Sequence, residues 1–148
     1  MPLILLFLSL FQRPAPPAHL DIAVSSSAAA ASPGSKLSLL LDITPKPGIH
    51  VYAPGAKDYV PVTVIMDAQP GVVFASLKYP KSDVLLFEGE KVPVYQQPFR
   101  LVENVSLAGS VRPGTTLTLT GTVKYQACDD RVCFIPASVP ERWTIKVK

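Results

Sequence analysis

Charge is scarce in this chain, at 17% of 148 residues, and the formal net charge of +3 is spread thinly. No run of Lys or Arg with interleaved aromatics occurs, which argues against a nucleic-acid partner. Cysteine is reduced to two residues, methionine to two and tryptophan to one. With His19 and His50 far away in sequence, the two cysteines do not match a four-ligand zinc pattern. A two-thiolate Cu(I) site is the remaining metal option, with only Met1 and Met66 as thioethers. No metal or cofactor is therefore expected. No Ser–His–acid constellation, phosphate loop or paired carboxylates can be read.

Long apolar runs are also missing. The run at residues 3–11 is too short to cross a bilayer, which needs about 20 residues, and no later segment could span one. At the N-terminus it reads as the apolar region of a secretory signal. No Lys or Arg precedes it, and prolines crowd the stretch at residues 13–18 where cleavage would fall, so an uncleaved anchor is the alternative. The expectation is a leader over residues 1–17, a domain over residues 18–148, and export to the periplasm. Outside the cytoplasm a close cysteine pair is oxidised unless something reduces it.

What the sequence has in excess is proline. Sixteen prolines, five of them in Pro-Gly pairs, leave little room for helices of ordinary length. Between these turns run segments of period-two alternation. In residues 116–126, Leu117, Leu119, Gly121, Val123 and Tyr125 share one face and polar residues the other. Trp143, Ile145 and Val147 alternate with Thr144, Lys146 and Lys148. Weaker strand candidates lie at 19–24, 36–43, 48–52, 60–67, 72–77 and 99–107. Ala28 to Ala31, flanked by serines and Pro33, reads as a loop. Some eight short strands predict an all-β, antiparallel β-sandwich of one domain.

Both cysteines fall in one segment, Lys124-Tyr-Gln-Ala-Cys-Asp-Asp-Arg-Val-Cys-Phe-Ile-Pro136, with four residues between them. So short a ring gives a crosslink only about 2 kcal/mol in the chain-entropy account. The pair therefore looks placed for chemistry. Cys128 continues the parity of Lys124 and Gln126, which predicts a wet face at a strand connection open to solvent. Thiol–disulfide exchange needs an accessible sulfur, a partner thiol in reach and a tuned thiolate fraction. Arg131 would favour a thiolate, and Asp129 and Asp130 would oppose it. The alternative is a non-catalytic interaction domain whose disulfide merely pins a hairpin.

The stretch Tyr125 to Pro136 resembles the redox segment of the N-terminal periplasmic domain of the thiol:disulfide interchange protein DsbD. Pro47-Gly-Ile-His-Val-Tyr-Ala-Pro54 and Phe87-Glu-Gly-Glu-Lys-Val-Pro-Val-Tyr95 resemble two further stretches of that family in order and spacing. The resemblance implies an immunoglobulin-like sandwich whose cysteine pair passes reducing equivalents to thioredoxin-fold partners. It implies Cys133 as the exchanging sulfur, Cys128 as the resolving one, and Phe87 as an aromatic cap over the disulfide. Glu88 follows the cap, and Tyr52 and His50 match positions lining the site. Where some family members place acidic residues before the cap, this sequence has Leu85 and Leu86. It holds neither the membrane domain nor the thioredoxin-like domain of the full family protein. A separate membrane electron donor is therefore expected, and no transmembrane domain in the chain itself.

Overall fold

The computed structural model describes residues 17–148. The predicted leader, except for its last residue, lies outside them. Twelve strands form three four-stranded sheets, and no helix occurs among the described residues. The architecture is an immunoglobulin-like β-sandwich.

The first sheet orders β1 (Leu20–Ser26), β3 (Lys36–Pro45), β9 (Phe99–Leu107) and β6 (Val72–Phe74) as β1-β3-β9-β6. The second orders β2 (Ala30–Ala31), β12 (Ala137–Val147), β10 (Thr116–Tyr125) and β5 (Thr63–Met66) as β2-β12-β10-β5. All pairings are antiparallel except β2 with β12, where Ala30 and Ala31 run parallel to Lys146 and Val147. That pairing corrects the loop read at Ala28 to Ala31. Two alanines carry no strand pattern of their own and become one only by docking on a distant edge.

Alternation explains how the two sheets meet. From β3, Leu37, Leu39, Leu41 and Ile43 point inward, and from β10 and β12 so do Leu119, Val123, Tyr125, Trp143 and Ile145. Each fully buried Leu, Ile or Val contributes about 1.5–3 kcal/mol of transfer free energy. Acids break the apolar rule at two inward positions: Glu103 on β9, 3% exposed between Leu101 and Val105, and the partly buried Glu141 on β12, between Val139 and Trp143.

The third sheet holds the chemistry. It orders β11 (Ala127–Cys128), β4 (His50–Tyr52), β8 (Glu90–Tyr95) and β7 (Asp83–Phe87) as β11-β4-β8-β7. Because side chains alternate, its two faces do different work. Val51, Tyr95 and Ala127 join the sandwich core, while Tyr52, Val92, Val94 and Cys128 form a separate small cluster on the opposite face.

Candidate functional site

The cysteine segment is shaped by a change of sheet. Strand β10 ends at Tyr125, and after Gln126 the chain joins β4, so that Ala127 pairs with Val51 and Cys128 with His50. The wet face of β10 therefore does not continue to Cys128. Cys128 is 1% exposed, against the prediction of an open position, because on the outer face of the third sheet it packs with Tyr52, Val92 and Val94, and Ala56 and Tyr59 close over them. Leu85 of β7 packs on the cluster that holds it.

After Cys128 the chain reverses in a tight turn. The Asp129 carboxylate accepts hydrogen bonds from the Arg131 and Val132 amides at 2.8 and 2.7 Å, and the Asp129 amide donates to the Val132 carbonyl at 3.0 Å. Those amide bonds hold the Asp129 carboxyl below its usual range. The turn brings Cys133 back beside Cys128, with the Cα atoms 4.1 Å apart and a disulfide between them. Cys133 itself is exposed. One cysteine of the pair is thus sealed and the other is an exposed residue.

Three aromatic side chains build the wall behind the bond. The Tyr52 hydroxyl lies 3.2 Å from Cys128 Sγ and 3.4 Å from Cys133 Sγ. Neither sulfur of a disulfide carries hydrogen, so the tyrosine is the donor to both. Tyr59 stacks on Tyr52 with ring centroids 4.0 Å apart, and His50 meets Tyr52 edge-on at 5.5 Å. Burial, with a smaller contribution from Tyr59, pushes the Tyr52 hydroxyl up to about 12. Burial lowers the His50 imidazole, and the Asp129 carboxylate partly offsets it.

The cleft in front of the disulfide, about 350 Å³, is lined by His50, Tyr52, Tyr59, Phe87, Cys128 and Cys133 among others. Phe87 ends β7, and the hairpin then turns through Glu88 (φ 50°) and Gly89 (φ 82°). Left-handed φ at both central positions is the signature of a type I′ hairpin turn. It leaves Phe87 51% exposed, which excludes it from the core. Glu88 does not join the cysteine cleft. It lines a neighbouring polar cleft with Lys57, Asp58 and Lys91. His19, weighed as a distant metal ligand, stacks instead on Phe134 at 3.9 Å. Sequence reasoning missed Tyr59, which sits in an irregular stretch over residues 53–62 with no alternation to mark it.

The family described as thiol:disulfide interchange protein DsbD, N-terminal, matches residues 21–142. The chain belongs to that family. Among solved structures it resembles the DsbD N-terminal domain of Neisseria meningitidis in its reduced form, at 13% identity and a TM-score of 0.53, covering 83% of each chain. It also resembles the N-terminal periplasmic domain of ScsB from Proteus mirabilis, at 15% identity and a TM-score of 0.58. That match covers 85% of this chain and 46% of the ScsB chain. At such identities the likeness shows the fold alone. No curated protein sequence matches significantly. Membership in a DsbD family and a disulfide at Cys128–Cys133 together support thiol–disulfide exchange as the activity class. No helix among the described residues is long and apolar enough to cross a membrane.

Proposed function

We propose that this domain is a periplasmic thiol–disulfide exchange module that passes reducing equivalents to thioredoxin-fold proteins. The observation that carries the reading is the unequal exposure of its two cysteines. In the reduced domain the Cys133 thiolate attacks a disulfide of the partner. A mixed disulfide forms, and one partner sulfur leaves as thiolate. The Cys128 thiolate then attacks Cys133 Sγ, closes the internal bond and releases the second partner sulfur. Two electrons pass from the domain to the partner, and no cofactor takes part. A separate membrane protein reloads the domain by the reverse sequence. Phe87 serves as the cap over the bond, and Tyr52 and His50 as its wall. Residues 1–17 are the export leader.

The position of Cys128 favours turnover over a structural clip. It belongs to the small outer cluster and not to the sandwich core, so opening the bond leaves the main apolar contacts in place.

The test is a pull-down from periplasmic extract with Cys128→Ser as bait. Recovery of a reductant-sensitive complex joined through Cys133 is expected. Complexes recovered only from Cys133→Ser would reverse the two roles. No complex from either variant, with a reduction potential below about −300 mV, would mark the bond as structural.

A further inference from the structure

Each opening or closing of the Cys128–Cys133 bond passes through a state in which Cys128 carries a negative charge. When an incoming thiolate attacks Cys133 Sγ, the S–S electron pair leaves on Cys128 Sγ. When a mixed disulfide resolves, the same thiolate is the attacker. The surroundings of Cys128 are poor for an anion. Val92, Val94 and the Tyr52 ring enclose it, with Leu85 packed outside them. Burial in such a pocket disfavours the charged form.

The titratable and charged groups nearby offer little relief. His50 pairs with Cys128 across the ladder but is held towards its neutral form by burial. Asp129 follows directly and is held as a carboxylate, which repels an anion. Asp130 and Arg131 stand in the exposed turn, with charges of opposite sign. Among the described residues, the hydrogen bond aimed at Cys128 Sγ comes from the Tyr52 hydroxyl, at 3.2 Å.

We infer that Tyr52 is a catalytic residue of the exchange, its hydroxyl donating the hydrogen bond that stabilises the Cys128 thiolate as it leaves or attacks. This rests on the exchange reading above and adds a role within it. The hydroxyl reaches both sulfurs of the closed bond, at 3.2 and 3.4 Å, so it needs no rearrangement to concentrate on Cys128 once Cys133 departs. Such prepositioned donors act where charge develops and cost no reorganisation at that moment. Its role is donation and not proton transfer. With its titration pushed up to about 12, the hydroxyl keeps its proton at neutral pH. The stack with Tyr59 and the edge contact with His50 fix the ring.

The experiment uses the full chain and dithiothreitol as the attacking thiol, so it requires no protein partner. Tyr52→Phe keeps the ring and removes the donor. Reduction of Cys128–Cys133 by dithiothreitol is expected to slow about tenfold, the worth of a modest hydrogen bond to a charged group. In a Cys133→Ser background, the pH profile of Cys128 alkylation is expected to move up by about one unit. A packing role alone would move neither reading in a folded protein. Should Tyr52→Phe fail to fold, 3-fluorotyrosine at position 52 supplies a stronger donor and is expected to speed reduction. An unchanged rate and an unchanged profile in a folded variant overturn the inference. The fate of the protein-partner reading is decided separately by the trapping experiment.

Discussion

Cys128 and Cys133 share one bond and occupy opposite environments, the first sealed against Val92 and Val94, the second standing in solvent. In the reduced protein, iodoacetamide should therefore modify Cys133 well before Cys128, as peptide mass mapping over a time course would show. Reduction should cost about 2 kcal/mol, the value of so small a ring, and leave the domain folded by circular dichroism. Equal labelling of the two thiols, or melting on reduction, would contradict the asymmetry.

Phe87 lines the cysteine cleft while half its surface stays exposed. Phe87→Ala is expected to speed reduction by dithiothreitol severalfold, because the approach to Cys133 widens. Stability should change by less than about 1 kcal/mol, as for other exposed positions. Stopped-flow reduction and a urea melt on one preparation separate the two effects, and an unchanged rate would remove the cap role.

Glu103 is the most deeply buried acid among the described residues, and its Oε1 has no hydrogen-bond partner. Burial raises its carboxyl above the ordinary 4.5. The unfolded chain thus loses this proton at lower pH than the native state does. The group's contribution is fully present below pH 4.5 and is lost as pH rises through the raised native value. Glu103→Gln, which cannot ionise, is expected to be more stable than the parent at pH 7 by about 1 kcal/mol or more. Urea midpoints of the two should converge near pH 4, and a gap independent of pH would contradict this.

Gly121 lies where β10 and β5 approach closely. A Cβ there would stand 2.8 Å from Met66 Sδ and 3.0 Å from the Ile65 carbonyl oxygen. The thioether can swing aside, but the backbone oxygen of a paired strand cannot. Gly121→Ala is expected to cost about 1–3 kcal/mol, read as a lower denaturation midpoint with an unchanged slope.

The strands of the sandwich were legible where the pattern is local. Leu117 to Tyr125 and Trp143 to Val147 alternate cleanly, and both point inward as read. The β7–β8 hairpin was not legible as strands. Val84 and Leu86 are apolar yet exposed, and Pro93 interrupts β8, so period two disappears. The burial of Cys128 was hidden for a different reason. Parity predicts a face only while the chain stays in one sheet, and at Gln126 it changes sheets. The stack of Tyr59 on Tyr52 joins a strand to irregular chain, and no spacing encodes such a contact. Resemblance supplied Phe87, Tyr52 and His50, which the geometry gathers around one cleft.

Val51, Tyr95 and Ala127 anchor the inner face of the same short strands that present Tyr52, Val94 and Cys128 on the outer one. Interior repacking therefore reaches the sulfurs through a single peptide unit. Methyl groups gained or lost at those three anchors would shift reactivity at the disulfide along with the stability of the domain.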